Sequence, residues 1–232
     1  MALPDENYHQ EISRELAQQL RNIIPGIEQE FSIMVVGLGN RDVTADALGP
    51  NVVDNLTITR HMVKEYGKAA FNRNKVHMVS GLIPGVMAKT GMESQEIIKG
   101  VVEMTKPDVV VVIDALAARS TKRLNRTIQI TNTGIHPGSG VGNHRNAITE
   151  ETLGVPVIAV GVPTVVDAAT IVSDAFEKIM RQTGEEPIEI QDELLAGLGE
   201  LYNMYVTGKD VDYEIKQIGH IICNALNSAL EI

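Results

Sequence analysis

Apolar residues fall into two rhythms along this chain. Ile12, Leu16, Leu20 and Ile24 recur every four positions, which predicts an amphipathic helix over residues 8–24, stopped by Pro25 and Gly26. "FSIMVVGLG" is instead a continuous apolar run, as expected of a strand in a parallel sheet covered on both faces. Residues 50–66 read as one helix with Pro50 in its first turn. "KVHMVSGLIP" reads as a second strand, and Ile97, Ile98, Val101 and Val102 mark one face of a helix over 93–104. "PDVVVVIDAL" contains β-branched residues from Val109 to Ile113 without a break, the pattern of a central strand. "RTIQITNTG" alternates polar and apolar positions, which predicts a half-exposed or edge strand. "PVIAVGVPTVVDA" is a further buried strand, followed by a helix over 168–180 and a polar connector over 182–187. The remainder, 188–232, reads as helical, with Ile215, Ile218, Ile222, Leu226 and Leu230 as its apolar stripe.

Strands alternating with helices predict one α/β domain over residues 1–232. Its expected architecture is three-layered, a mostly parallel twisted sheet with helices on both faces and a sheet core over 31–180. Aromatic residues make up only 3% and tryptophan is absent, so aliphatic packing must carry the core. The formal charge of -10 argues against direct nucleic-acid binding, which needs Lys and Arg to displace counterions. It leaves open an action on a protein that itself binds DNA. The single cysteine, Cys223, excludes an intrachain disulfide and falls in the apolar pattern of the last helix, as a packed thiol would. The N-terminus lacks the basic-then-apolar order of a signal peptide, and no apolar run approaches the ~20 residues that span a bilayer. A cytoplasmic protein without membrane contact is the expectation.

Chemistry should gather beyond the carboxyl ends of the strands. The stretch "VVGLGNRDVTADALGP" lies at one such end. Its glycines do not make a dinucleotide fingerprint, because Asp42 stands where GxGxxG needs its third glycine. Asp114 follows the Val109–Ile113 run directly. It reads either as a cap of the next turn or as a functional carboxylate; Asp46, just before a predicted helix, has the same two readings. The functional reading pairs them. Two carboxylates held close cannot both ionise easily, so one can activate a water while the protonated partner polarises a carbonyl. Asp42 is alternatively a turn residue. His136, in the glycine-rich "TGIHPGSGVGNHR" loop, could complete a metal site with Asp46 and Asp114 for a divalent transition metal. The metal-free dyad, with no cofactor, is preferred because no HExxH-like spacing occurs. Arg119, Arg123 and Arg126 are either solvated charge or attractors of an acidic substrate segment, and His144 and Arg145 are weaker candidates for the same role. No GxSxG elbow supports a serine nucleophile.

Five ordered motifs, "VVGLGNRDVTADALGP", "LIPGVMAKTGMES", "VVVIDALAARS", "TGIHPGSGVGNHR" and "GVPVIAVGVPTVVDA", resemble the germination proteases of spore-forming bacteria. The likeness runs from about Glu11 to Ala229 and is weak around Gln182–Leu201. It implies an atypical aspartic endopeptidase, soluble in the spore core, that degrades small acid-soluble spore proteins during germination and cuts beside acidic residues. It places the family's two proposed catalytic aspartates at Asp46 and Asp114. Beside them, Asn40, Asp42, Arg119, His136 and Asp167 are the candidates for supporting or substrate-binding roles. It implies a fold similar to the hydrogenase maturation proteases, where the equivalents of Asp46 and Asp114 help bind nickel, and a homo-oligomer, a tetramer. The family carries a propeptide removed by self-cleavage. Only 34 residues precede Val35, so the chain reads as a short form lacking the usual N-terminal segment. "NRD" replaces the family's more usual "NWN", adding the Asp42 carboxylate near Asp46.

Overall fold

The computed structural model describes residues 6–71, 75–138, 145–183, 201 and 203–232. Strands β1 (Ser32–Gly37), β2 (Met78–Leu82), β3 (Val109–Ala118) and β5 (Val157–Asp167) run parallel, and β4 (Gln129–Thr131) and β6 (Tyr205–Val206) pair antiparallel with β5. The sheet order is β2-β1-β3-β5-β4, with β6 beside the far end of β5. β4 is an edge strand, as its alternation predicts.

The side chains of β3 divide the core. Val109, Val111 and Ile113 pack with the N-terminal helix Glu6–Ile23, the helix Leu48–Asn55 and the C-terminal helix Val211–Ala229. Val110 and Val112 point the other way, to Ile98 and Val102 of the helix Ser94–Thr105 and to Leu153. A strand buried on both faces must be apolar at every position, which is why this one reads as an unbroken run. Cys223 is buried in the first cluster and its thiol donates to the Asn55 carbonyl at 3.1 Å.

Two expectations need correction. Residues 50–66 do not form one helix: the chain makes Leu48–Asn55, runs extended, and resumes at Arg60–Tyr66. The break serves β2. Thr59, only 2% exposed, donates its N–H to the Val79 carbonyl, donates its hydroxyl to the His77 carbonyl and accepts the Val79 N–H. It thereby satisfies backbone groups on an otherwise open sheet edge. The expected C-terminal helical segment contains strand β6 before its helix begins at Val211. Residues 184–200, which include most of the expected connector, lie outside the described residues, as does His144.

Candidate active site

The strand order reverses direction between β1 and β3, and the crevice above that point is where open α/β sheets place ligands. Asp46 and Asp114 both line it. The crevice encloses about 370 Å³ and is walled by Leu38 and Gly39 after β1, Val86 after β2, Ser94, and residues 114–117 of β3.

Asp46 reaches this crevice because the glycines let the backbone fold tightly back on itself. Gly39 has φ +112°, and a Cβ there would lie 1.9 Å from the Asp46 carbonyl oxygen. A Cβ on Gly49 would meet the Leu38 and Ile113 carbonyl oxygens at 2.4 and 2.7 Å. These glycines are steric requirements of the turn, not a phosphate cradle. Asp46 ends the short 3-10 turn Thr44–Asp46, and its Oδ2 accepts the Asn40 N–H at 2.9 Å. It does not cap the following helix, which begins at Leu48 with no side-chain cap. Thr164 of β5 clamps the turn from below, its hydroxyl donating to the Ala45 carbonyl at 2.6 Å.

Asp114 is not at a strand tip. β3 continues to Ala118, carried by its pairing with the equally long β5, so there is no helix for Asp114 to cap. Its side chain is 7% exposed, and its Oδ1 accepts the Ala115 N–H at 3.0 Å. Burial, and then the negative charge of Asp46, push the Asp114 carboxyl up to about 7. Burial also raises Asp46, but the Asn40 N–H and the positive charge of Arg145 oppose that rise. The two carboxyls are therefore unequal: Asp114 is the better proton holder, Asp46 the better anion.

The other candidates sort by position. Asn40 supports Asp46 through its backbone, while its side chain accepts the Asp42 N–H at 3.1 Å. Asp42 faces solvent in an ion pair with Lys89 and takes no part in raising either carboxyl. Asp167 does not line the crevice; it accepts from the Thr170 N–H and hydroxyl at 2.6 and 2.8 Å and so caps the helix Ala168–Thr183. Arg119, Arg123 and His136 line a second hollow of about 420 Å³ that shares Asp114 with the first. Arg126 lies apart, in the groove beside the N-terminal helix. That groove, at about 850 Å³, is roomier than the crevice of the two carboxylates, yet neither carboxylate lines it, so chemistry rather than volume selects the site.

The Asp46–Asp114–His136 metal set does not assemble. Among the described residues no three His, Cys, Asp or Glu side chains converge as ligands, and His136 lines the hollow of Arg119 and Arg123. Sequence reasoning passed over Thr164, whose only signal was a lone hydroxyl in an apolar strand, and Asp174, which gave none.

A model of the family described as germination protease matches residues 2–194. The chain belongs to the germination protease family. It is 45% identical to the germination protease of Caldanaerobacter subterraneus subsp. tengcongensis, over 95% of this chain and 74% of that one. It is 39% identical to that of Halalkalibacterium halodurans, over 97% and 73%, and 42% identical to that of Bacillus pumilus, over 88% and 67%. Among solved structures, a NiFe hydrogenase maturation protease, HycI from Thermococcus kodakarensis KOD1, overlaps 88% of this chain and 98% of its own at 18% identity and a TM-score of 0.38. Germination proteases are peptidases, and no helix among the described residues is long and apolar enough to cross a membrane.

Proposed function

We propose that the chain is an endopeptidase that hydrolyses small acid-soluble spore proteins, using Asp46 as base and Asp114 as acid. The observation that carries the reading is a buried aspartic acid, raised to about 7, facing the same crevice as a second, less perturbed aspartate. Asp46 takes a proton from water as the oxygen attacks the scissile carbonyl carbon. Asp114 donates its proton to the carbonyl oxygen, and a neutral tetrahedral diol results. On collapse, Asp46 passes its proton to the departing amide nitrogen and Asp114 recovers one from the diol hydroxyl. Both groups return to their starting states, and no covalent intermediate or cofactor is required. The low dielectric around Asp114 keeps its proton available at neutral pH.

Asp46→Asn and Asp114→Asn, each verified as folded, test this on a purified small acid-soluble spore protein. Cleavage retained in either variant sinks the dyad. The pH profile adds a second check: activity should fall on the alkaline side near pH 7, where Asp114 ionises. It should fall again on the acid side as Asp46 protonates. The same reading carries a soluble, spore-core enzyme and a homo-oligomer, which sedimentation of the purified chain would measure.

A further inference from the structure

β1 and β3 differ in length, and the difference leaves an open edge inside the crevice. The last paired residues are Gly37 and Ile113, and the Ile113 carbonyl accepts the Leu38 N–H at 2.9 Å. β1 then turns away at Gly39, while β3 runs on to Ala118. Backbone groups alternate sides along a strand, so Ala115 presents its N–H and carbonyl to the same side as Ile113, away from β5. No strand among the described residues pairs with that side beyond Ile113. The Ala115 N–H bonds only to the neighbouring Asp114 carboxyl, a contact an incoming carbonyl could replace. Residues 115–117 are small or partly exposed and line the crevice.

Charge identifies the occupant. The hollow on the other side of Asp114 is lined by Arg119, Arg123 and His136. Neither guanidinium makes an ion pair or a hydrogen bond among the described residues, in a chain of net charge -10. Their backbone is held in place: Asp174 accepts from the Ser120 hydroxyl and from the N–H and hydroxyl of Thr121, at 2.7 to 3.1 Å. Two cations without a partner among the described residues, on a backbone segment that Asp174 anchors beside an open strand edge, suit an extended peptide carrying a carboxylate.

We propose that the substrate docks as an added strand on the upper edge of β3. Its backbone pairs with Ala115, and an acidic side chain next to the scissile bond enters the hollow of Arg119 and Arg123. This assignment rests on the endopeptidase reading above. It makes the two arginines specificity-determining residues, and it explains why β3 outruns β1: the empty length is the peptide's place in the sheet.

The test uses peptides spanning a cleaved segment of a small acid-soluble spore protein, each with one backbone N-methyl group, the methyl moved along one residue at a time. Kinetics with the wild-type chain are paired with binding to Asp114→Asn. Docking as a strand predicts that N-methylation weakens binding about tenfold at alternate positions only. It also predicts that Glu→Gln in the peptide raises KM for the wild type. In the Arg119→Gln/Arg123→Gln double variant that discrimination is lost, and Arg119→Lys/Arg123→Lys restores part of it. Cleavage that tolerates N-methylation uniformly, or Glu/Gln discrimination that survives the double variant, overturns the docking and leaves the endopeptidase intact. Absence of both cleavage and binding overturns the endopeptidase reading and the docking with it.

Discussion

Two aspartates flank the unbroken apolar run of the central strand β3, Asp108 before Val109 and Asp114 after Ile113, and the two have opposite fates. Asp108 precedes the strand at its amino end. Its Oδ2 accepts the Ser32 N–H at 2.7 Å while its own N–H donates to the Ser32 carbonyl at 2.7 Å. It is exposed to solvent and stitches β1 to β3. Asp114, in the middle of the strand, is buried with one neighbouring N–H and a second carboxylate for company. The first arrangement stabilises the sheet. The second costs stability and raises the carboxyl's hold on its proton. The same side chain gains or loses proton affinity according to whether the sheet satisfies it.

The sharpest way to break this contrast is at the two carboxyls of the crevice. Asp46→Asn and Asp114→Asn should each lower kcat by roughly 10²–10⁴, the usual worth of a general acid or base, while Asp108→Asn leaves kcat unchanged. Steady-state kinetics on one spore-protein substrate separates the three. Gly39→Ala should come next. Its Cβ has no room beside the Asp46 carbonyl, and the left-handed backbone there disfavours any side chain, so the turn must shift. We expect a loss of about 2 kcal/mol or more in urea unfolding, with activity falling alongside because Asp46 moves with the turn.

A third prediction concerns pH. The folded Asp114 carboxyl titrates near 7, above its ordinary value of 3.8. A raised carboxyl favours the folded state when protonated, so wild-type stability should decline as pH climbs from 3.8 towards about 7 and level off above. Asp114→Asn removes that decline. It should match wild type near pH 4 and exceed it at pH 8 by an amount on the order of a few kcal/mol. Equal stability of the two at pH 8 would refute the raised value. Smallest of all, Asp108→Ala should cost about 1 kcal/mol, and Asp108→Asn, which can still accept the Ser32 N–H, less than that. A loss at Asp108 larger than the gain at Asp114 would reverse the comparison.

The meeting of Asp46 and Asp114 in one crevice was legible in the sequence, because an apolar run before Asp114 and a strand–glycine turn before Asp46 both lead to the carboxyl ends of the sheet. Asp167, at the end of β5, caps the helix that follows through the Thr170 N–H and hydroxyl, a contact that depends on where that helix begins. His136 was grouped with the two aspartates by residue type alone, and the described residues bring no such three ligands together. The break at residues 56–59 was invisible because its cause, the backbone of β2, lies about twenty residues further along the chain.

The amino-acid sequence by itself determined the alternation of strands and helices, the burial of β3 on both faces, the edge character of β4 and the two aspartates worth watching. These follow from local periodicity and from which residues can be desolvated. Tertiary structure alone decided that the proton affinities of Asp46 and Asp114 differ, that Asp42 and Asp167 are spent elsewhere, and that β3 outlasts β1. Those outcomes depend on desolvation and charge across segments distant in sequence, and no local pattern encodes what will stand beside a side chain once the sheet has formed.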